Sequence, residues 1–172
     1  WYSFNVGPVH ILYYSTEHDF RADSTQYKWI ENDLRSVNRT LTPWLIVTGH
    51  RHMYTSEENA KGELEIMEKL QLYLEPLLYK YHADLNLFGH RHSYERSCPM
   101  YKSKCVSDGV THVLLGMAGA GLDSGKYSGA AWSKYHDQQF GYTTIFVNQT
   151  YLHFTYYHDK DDGIADQFIL HK

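Results

Sequence analysis

Two short strings carry the residues best suited to chemistry. Gly89-His90-Arg91-His92 ends one apolar run, and Gly49-His50 ends another earlier in the chain. Histidines at i and i+2 on extended backbone project to the same side, so His90 and His92 can reach one ion or two adjacent ions. With His50, three neutral imidazoles would converge at one sheet edge. That donor set suits a divalent or trivalent transition metal. An isolated His-x-His also occurs in exposed loops that bind nothing, so the surroundings must decide. Twelve histidines in 172 residues weakly favour metal or phosphate chemistry.

The elements that must position these histidines are readable from hydrophobic periodicity. Segments 1–6 and 9–14 are apolar and aromatic, and Gly7-Pro8 between them predicts a hairpin. Asp23 opens a helix, with Gln26 three residues on to complete a capping box. Tyr27, Ile30, Leu34 and Val37 give that helix its core face. Residues 38–42 are a polar loop. Residues 43–48 form a short, almost continuous apolar run, the pattern of a strand buried on both faces. A long helix is predicted from about residue 60 to 81, with Leu64, Met67, Leu70, Leu74, Leu77, Leu78 and Tyr81 inward and Pro76 as a kink or break. A second buried strand spans 83–88. Both helix-then-strand units therefore finish in Gly-His, at the carboxyl ends of strands, where layered α/β folds gather their ligand sites. The remainder reads as all-β: a strand over 111–117, a Gly-rich stretch over 116–121, a surface loop over 122–140, a hairpin of 141–147 and 151–158, and a last strand over 164–170.

Composition bounds the function. Apolar residues at 42% supply a core for one domain. A net charge of -4 with His neutral gives no nucleic-acid footprint. No run approaches the length of a membrane span. The two cysteines, Cys98 and Cys105, form no Cys-x-x-Cys pair. A disulfide closing a short Pro-containing loop fits them better than a zinc site, and it implies an oxidising compartment. The sequons Asn38-Arg39-Thr40 and Asn148-Gln149-Thr150 point the same way, toward glycosylation and export. The expected location is secreted, extracellular or vacuolar–lysosomal. The sequence opens on Trp1-Tyr2-Ser3 with no signal peptide, which reads as a fragment or a processed piece.

Val47-Thr48-Gly49-His50 and Gly89-His90-Arg91-His92-Ser93-Tyr94-Glu95-Arg96 together resemble the purple acid phosphatase family of metallophosphoesterases. Trp1-Tyr2-Ser3-Phe4, Gln26-Tyr27-Lys28-Trp29, Thr42-Pro43-Trp44-Leu45-Ile46-Val47, Met53-Tyr54 and Cys98-Pro99 look like family segments in family order. A lone Gly-His-x-His is shared by many phosphoesterases; the ordered set is specific. The resemblance implies that His50 and His90 bind a divalent ion (zinc, manganese or iron) and that His92 binds Fe(III). Such a centre clamps phosphate oxygens and activates water for in-line attack.

The family's other ligands are two aspartates, a tyrosine and an asparagine followed by histidine. No G-D-x-G, G-D-x-x-Y or G-N-H string occurs in these residues. Without a bridging carboxylate, three imidazoles cannot hold two cations close together against their repulsion. The chain alone is therefore expected to bind metal poorly and hydrolyse little, with the missing N-terminal portion of the catalytic domain as its partner. The family's pair of substrate-contacting histidines is also absent. Asn59 and Ala60, beside Glu58, stand where they would fall, and His52 is the remaining histidine that could donate to phosphate, or a loop residue with no role. Glu95 and Arg96 either orient the ligands from behind or form a structural ion pair. Glu17-His18-Asp19 could reach the pocket rim.

The implied fold is α/β in layers, the C-terminal half of an α-β-β-α metallophosphoesterase sandwich, with residues 1–172 as one partial catalytic domain. The implied function is hydrolysis of phosphate monoesters at acidic pH by the complete protein. The alternatives are a phosphodiesterase or nuclease-like metallophosphoesterase, and a non-catalytic binding or structural piece. A homodimer is left open.

Overall fold

The computed structural model describes residues 1–58 and 60–172. Strands β1 (Tyr2–Val6) and β2 (Val9–Tyr13) form the expected hairpin. Gly7 makes the turn with φ of 53°, a conformation that costs glycine little. Strand β2 then runs parallel to β3 (Trp44–Thr48), β3 to β4 (Leu85–Phe88), and β4 to β7 (Val110–Leu115). Strand β5 (Tyr94–Tyr101) lies antiparallel to β7, and β6 (Lys104–Cys105) and β8 (Ser133–Asp137) both pair with β5. The result is an eight-stranded mixed sheet. A separate antiparallel sheet is formed by β9 (Gly141–Val147), β10 (Tyr151–His158) and β11 (Ile164–His171).

Helices α1 (Thr25–Ser36), α2 (Leu64–Tyr73) and α3 (Glu75–Lys80) contribute to the core on one face of the large sheet. Ile30, Leu34, Leu70, Leu74, Leu77 and Leu78 meet Leu12, Leu45, Val47, Phe88 and Leu114 there. On the other face, Val9, Trp44, Ile46, Leu85 and Val113 pack against Leu152, Phe154 and Tyr156 of the small sheet. The period-two alternation of the strands thus feeds two cores, and the layers run helix, sheet, sheet. This is the layered α/β architecture expected from the sequence.

Several local expectations are corrected. The first helix is capped by Ser24, whose hydroxyl accepts from Tyr27 N at 3.1 Å. Asp23 sits outside it with φ of 70°. Gln26 does not close a capping box: it is buried, with its amide bonded to the backbone N and O of Ser15 at 2.6 and 3.0 Å. That use of Gln26 ties the helix to the end of β2. The long helix does break at Pro76, into α2 and α3, because proline has no N–H to continue the ladder. Leu64 lies on its solvent side, 48% exposed. The Cys98–Cys105 disulfide forms as expected, at 2.04 Å, and the short Pro-containing loop it closes is the β5–β6 hairpin. The stretch 122–140 contains β8, whose Ser-Lys-Tyr-His-Asp sequence alternates without strong apolar residues and so carries no clear strand signature.

Candidate metal centre

Parallel pairing brings the two Gly-His strings to the same end of the sheet. The ladder continues past the strand ends, with Gly49 N donating to Leu87 O at 3.1 Å and Gly89 N to His50 O at 2.9 Å. Gly49 must be glycine. A Cβ there would stand 2.4 Å from the ring of Tyr14, which is buried. This close approach seats His50 beside His90. His50 Nε2 and His90 Nδ1 face each other at 3.1 Å, with ring centroids 5.0 Å apart and planes at 83°. Partial burial holds the His90 pKa below its ordinary value.

His92 is positioned differently. The reason given by an extended strand does not hold, because residues 90–93 form a bend and His90 is left-handed at φ of 72°. The His92 ring Nδ1 lies 2.6 Å from Gly121 O. A carbonyl only accepts, so Nδ1 carries the proton and Nε2 keeps a free lone pair. His50 and His90 are thus brought together, while the polar contacts of His92 are made with residues 121–123.

His52 is fully buried, and neither ring nitrogen makes a hydrogen bond. Its Nε2 stands 3.1 Å from Glu63 Oε2, at ion-pair distance but misaligned for a hydrogen bond. Burial, reinforced by the charges of His90 and Arg91, pushes its pKa down to about 3. The other oxygen of Glu63 lies 3.2 Å from His90 Nε2. Glu58 is exposed, and Asn59 lies outside the described residues.

Arg51 comes to the same edge, with one guanidinium nitrogen 3.3 Å from His90 Nε2 and Nε bonded to Glu17 at 2.7 Å. Glu17 therefore reaches the rim, and the Arg51 hydrogen bond lowers its pKa. Glu95 and Arg96 do not pair with each other. Arg96 binds Asp166 at 2.6 and 2.8 Å, fastening β5 to β11. Glu95 is buried and accepts from Thr55 Oγ1, Ser56 N and Ser133 Oγ at 3.0, 2.8 and 2.6 Å, and from Ser56 Oγ. It holds the segment that follows His50 rather than any ligand side chain. Sequence reading passed over Glu57, Arg91 and Asp123, which join this network. Isolated charges in Ser- and Gly-rich loops carry no periodicity to reveal them.

Two nitrogens each about 2.0–2.1 Å from one zinc-sized ion stand roughly 2.9–3.4 Å apart. The His50–His90 separation of 3.1 Å fits that requirement, and the free Nε2 of His92 fits a second ligand role. Among the described residues, no group of three or more His, Cys, Asp or Glu side chains is disposed to hold an ion. The donors are those of a partial site: imidazoles of the right type and one pair at the right spacing, without a bridging carboxylate.

Residues 4–94 match the calcineurin-like phosphoesterase family, and residues 109–167 match the C-terminal region of iron/zinc purple acid phosphatase-like proteins. The chain is 35% identical over 180 residues to a probable inactive purple acid phosphatase 9 of Arabidopsis thaliana, covering 96% of this chain and 28% of that protein. It is 33% identical over 189 residues to a nucleotide pyrophosphatase/phosphodiesterase of Hordeum vulgare, covering 100% of this chain and 50% of that protein. The solved structure of a purple acid phosphatase from yellow lupin (Lupinus luteus) seeds superposes with a TM-score of 0.88 at 32% identity, over 99% of this chain and 32% of the lupin chain. The chain thus spans half or less of the length of each of these relatives.

Proposed function

The chain belongs to the purple acid phosphatase family of calcineurin-like phosphoesterases, and we propose that it supplies the histidine ligands of a dinuclear centre hydrolysing phosphate monoesters at acidic pH. The observation that carries this reading is the facing pair of His50 Nε2 and His90 Nδ1 at 3.1 Å. In this reading His50 and His90 hold a divalent ion (zinc, manganese or iron) and His92 holds Fe(III). When bound, the two ions supply charge neutralisation for the phosphoryl group and activation of water. The chain's own part is to hold the imidazoles in place and to keep Arg51 beside them, where an anionic ester approaches. The carboxylates that separate two cations would come from outside these 172 residues. Glu63 could not replace them, since it stands on the Nε2 side of His90, away from His50.

Export follows from the same proposal. The disulfide suits an oxidising compartment. Asn38 is exposed in the loop after α1, and Asn148 is half-buried at the tip of the β9–β10 hairpin, so both are offered as glycan sites. No helix among the described residues is long and apolar enough to cross a membrane.

The test is metal content together with turnover. The protein, expressed with whatever sequence its gene encodes before Trp1, should hold two ions and hydrolyse p-nitrophenyl phosphate faster than the bis-p-nitrophenyl diester. Histidine-to-alanine changes at His50 or His90 should remove the divalent ion and the activity. Faster turnover of the diester would favour the phosphodiesterase reading, which the barley relative supports. Absence of both metal and turnover would leave a non-catalytic member, as the name of the Arabidopsis relative describes that protein.

A further inference from the structure

The segment between β7 and β8 lies directly against the His90–Ser93 bend. Gly116 runs flush with it: a Cβ there would fall 1.6 Å from Arg91 O. Gly116 N donates to Ser93 O at 3.0 Å. Beyond this, the contacts converge on one residue. The His92 amide donates to Asp123 Oδ2 at 2.6 Å, and the His92 carbonyl accepts from Asp123 N at 3.0 Å. The ring Nδ1 donates to Gly121 O at 2.6 Å. Of the four polar groups of His92, residues 121 and 123 occupy three. Only Nε2 is left.

Asp123 is itself held. Arg91 Nε lies 3.3 Å from Asp123 Oδ2, and the same guanidinium binds Glu57, with Nε at 3.3 Å and a terminal nitrogen at 2.5 Å. The Glu57 side chain is fully buried. Its Oε1 also accepts from Gly125 N at 2.9 Å, and a Cβ on Gly125 would stand 2.0 Å from that oxygen. Glu57 thus binds both Arg91 and Gly125, and Arg91 reaches Asp123 two residues before Gly125, a set of contacts that joins the segment after His50 to the bend carrying His92. A buried carboxylate is stable only when its lone pairs are taken, and Arg91 and the Gly125 amide take those of Glu57.

We infer that Asp123 is the positioning residue of His92: it pins both backbone groups of that histidine while Gly121 takes the Nδ1 proton, so that Nε2 is the atom presented to a ligand. The inference deepens the proposed function, because it gives a metal-facing role to an atom which that reading needs. Hydrogen-bonded partners of this kind fix the tautomer and orientation of a ligating histidine, and their loss typically costs about 10–100-fold in metal affinity.

The test uses nitrogen and proton NMR of the protein expressed with the sequence its gene encodes before Trp1, without metal and then with gallium(III), a diamagnetic stand-in for Fe(III). In the wild type, His92 should be Nδ1-protonated and its amide protected from hydrogen exchange. Asp123→Ala should speed exchange of that amide by about tenfold or more, consistent with loss of a local hydrogen bond, and should mix the two ring tautomers. Asp123→Asn keeps an acceptor oxygen and should restore most of the protection. If Asp123→Ala also strips protection from Val113 in β7, the change is global. Arg91→Gln is then read in its place, and it must give the same localised effect at His92. Unchanged exchange and tautomer at His92 in these variants overturn the inference. With gallium(III), the His92 ring should bind the ion about 10–100-fold more weakly in Asp123→Ala. A changed tautomer with unchanged gallium(III) affinity overturns the positioning role while leaving the proposed function standing. A wild-type His92 that never responds to gallium(III) removes the ligand reading itself, and the role of Asp123 with it.

Discussion

The two faces of the eight-stranded sheet are finished to different degrees. On the helical face, Leu12, Leu45, Val47, Phe88 and Leu114 are all buried beneath α1, α2 and α3. On the opposite face, Trp44, Leu85 and Val113 are just as buried beneath the small sheet, but the cover stops short of β1. Tyr2, Phe4 and Val6 of β1 are 55%, 42% and 56% exposed. Tyr2, Phe4 and Tyr13 stack on one another with interplanar angles of 12–13°. Residues of the same chemical type on one sheet face thus have opposite fates. What differs is the partner above them, so alternation announces that a face is apolar and says nothing of what will cover it.

The strongest way to break this comparison is to remove a side chain where the cover is complete. Phe154 has no exposed surface and stacks on Phe168 at 4.9 Å between centroids. Phe154→Ala should lower unfolding stability by about 3–5 kcal/mol, the usual cost of deleting a fully enclosed phenyl ring. Urea denaturation would measure it. A loss under about 1 kcal/mol would mean that the inter-sheet core collapses around the gap and is not the close-packed layer described here.

The helical face carries a different liability. It buries polar groups: Asn86 Nδ2 donates to His112 Nδ1 at 3.2 Å, and His112 Nε2 has no partner. Burial pushes the His112 pKa down to about 3 from an ordinary value of 6.5. The unfolded chain takes up a proton below about 6.5 while the folded chain does not, so stability falls as pH drops through the window between the two values. The slope from this group is at most about 1.4 kcal/mol per pH unit. His112→Gln should flatten that acid loss, as read by unfolding midpoints at neutral and acidic pH. It removes one of several contributions of the same sign, buried His52 and partly buried His90 supplying others. An identical pH dependence in His112→Gln would show that His112 is already charged or solvated in the fold.

The legibility of these parts follows their physics. The strands β2, β3, β4 and β10 were readable because burial on a pleated surface imposes period two, or continuous apolarity where both faces are covered. The Pro76 break was readable because a missing N–H acts locally. His50 and His90 were readable as a pair because each follows a glycine at a parallel strand end. The tie between Gln26 and Ser15, the contacts of Glu57, Arg91 and Asp123, and the hydroxyl cage around Glu95 were not. Each depends on residues far apart in the chain meeting at a loop, and no local pattern encodes such a meeting. His92 shows the intermediate case. Its identity was legible from Gly-His-x-His, but its setting was not, because the backbone bends at His90 where a straight strand was assumed.

The smallest expected effect sharpens the comparison most. Phe4 lies on the uncovered end of the face that Phe154 of the small sheet helps to cover, with similar chemistry and an aromatic neighbour at 6.0 Å. If burial, and not residue type, sets the energetics, Phe4→Ser should change unfolding stability by no more than about 0.5 kcal/mol, the range for surface positions. Its consequence should appear between molecules. Strand β1 is a sheet edge with unpaired backbone groups, and an exposed aromatic stack beside such an edge favours association. Light scattering at rising concentration should therefore show less self-association in Phe4→Ser than in the wild type, at unchanged stability. A large stability loss instead would mean that the aromatic stack holds the hairpin in place by itself, and that this end of the face is a finished structure in its own right.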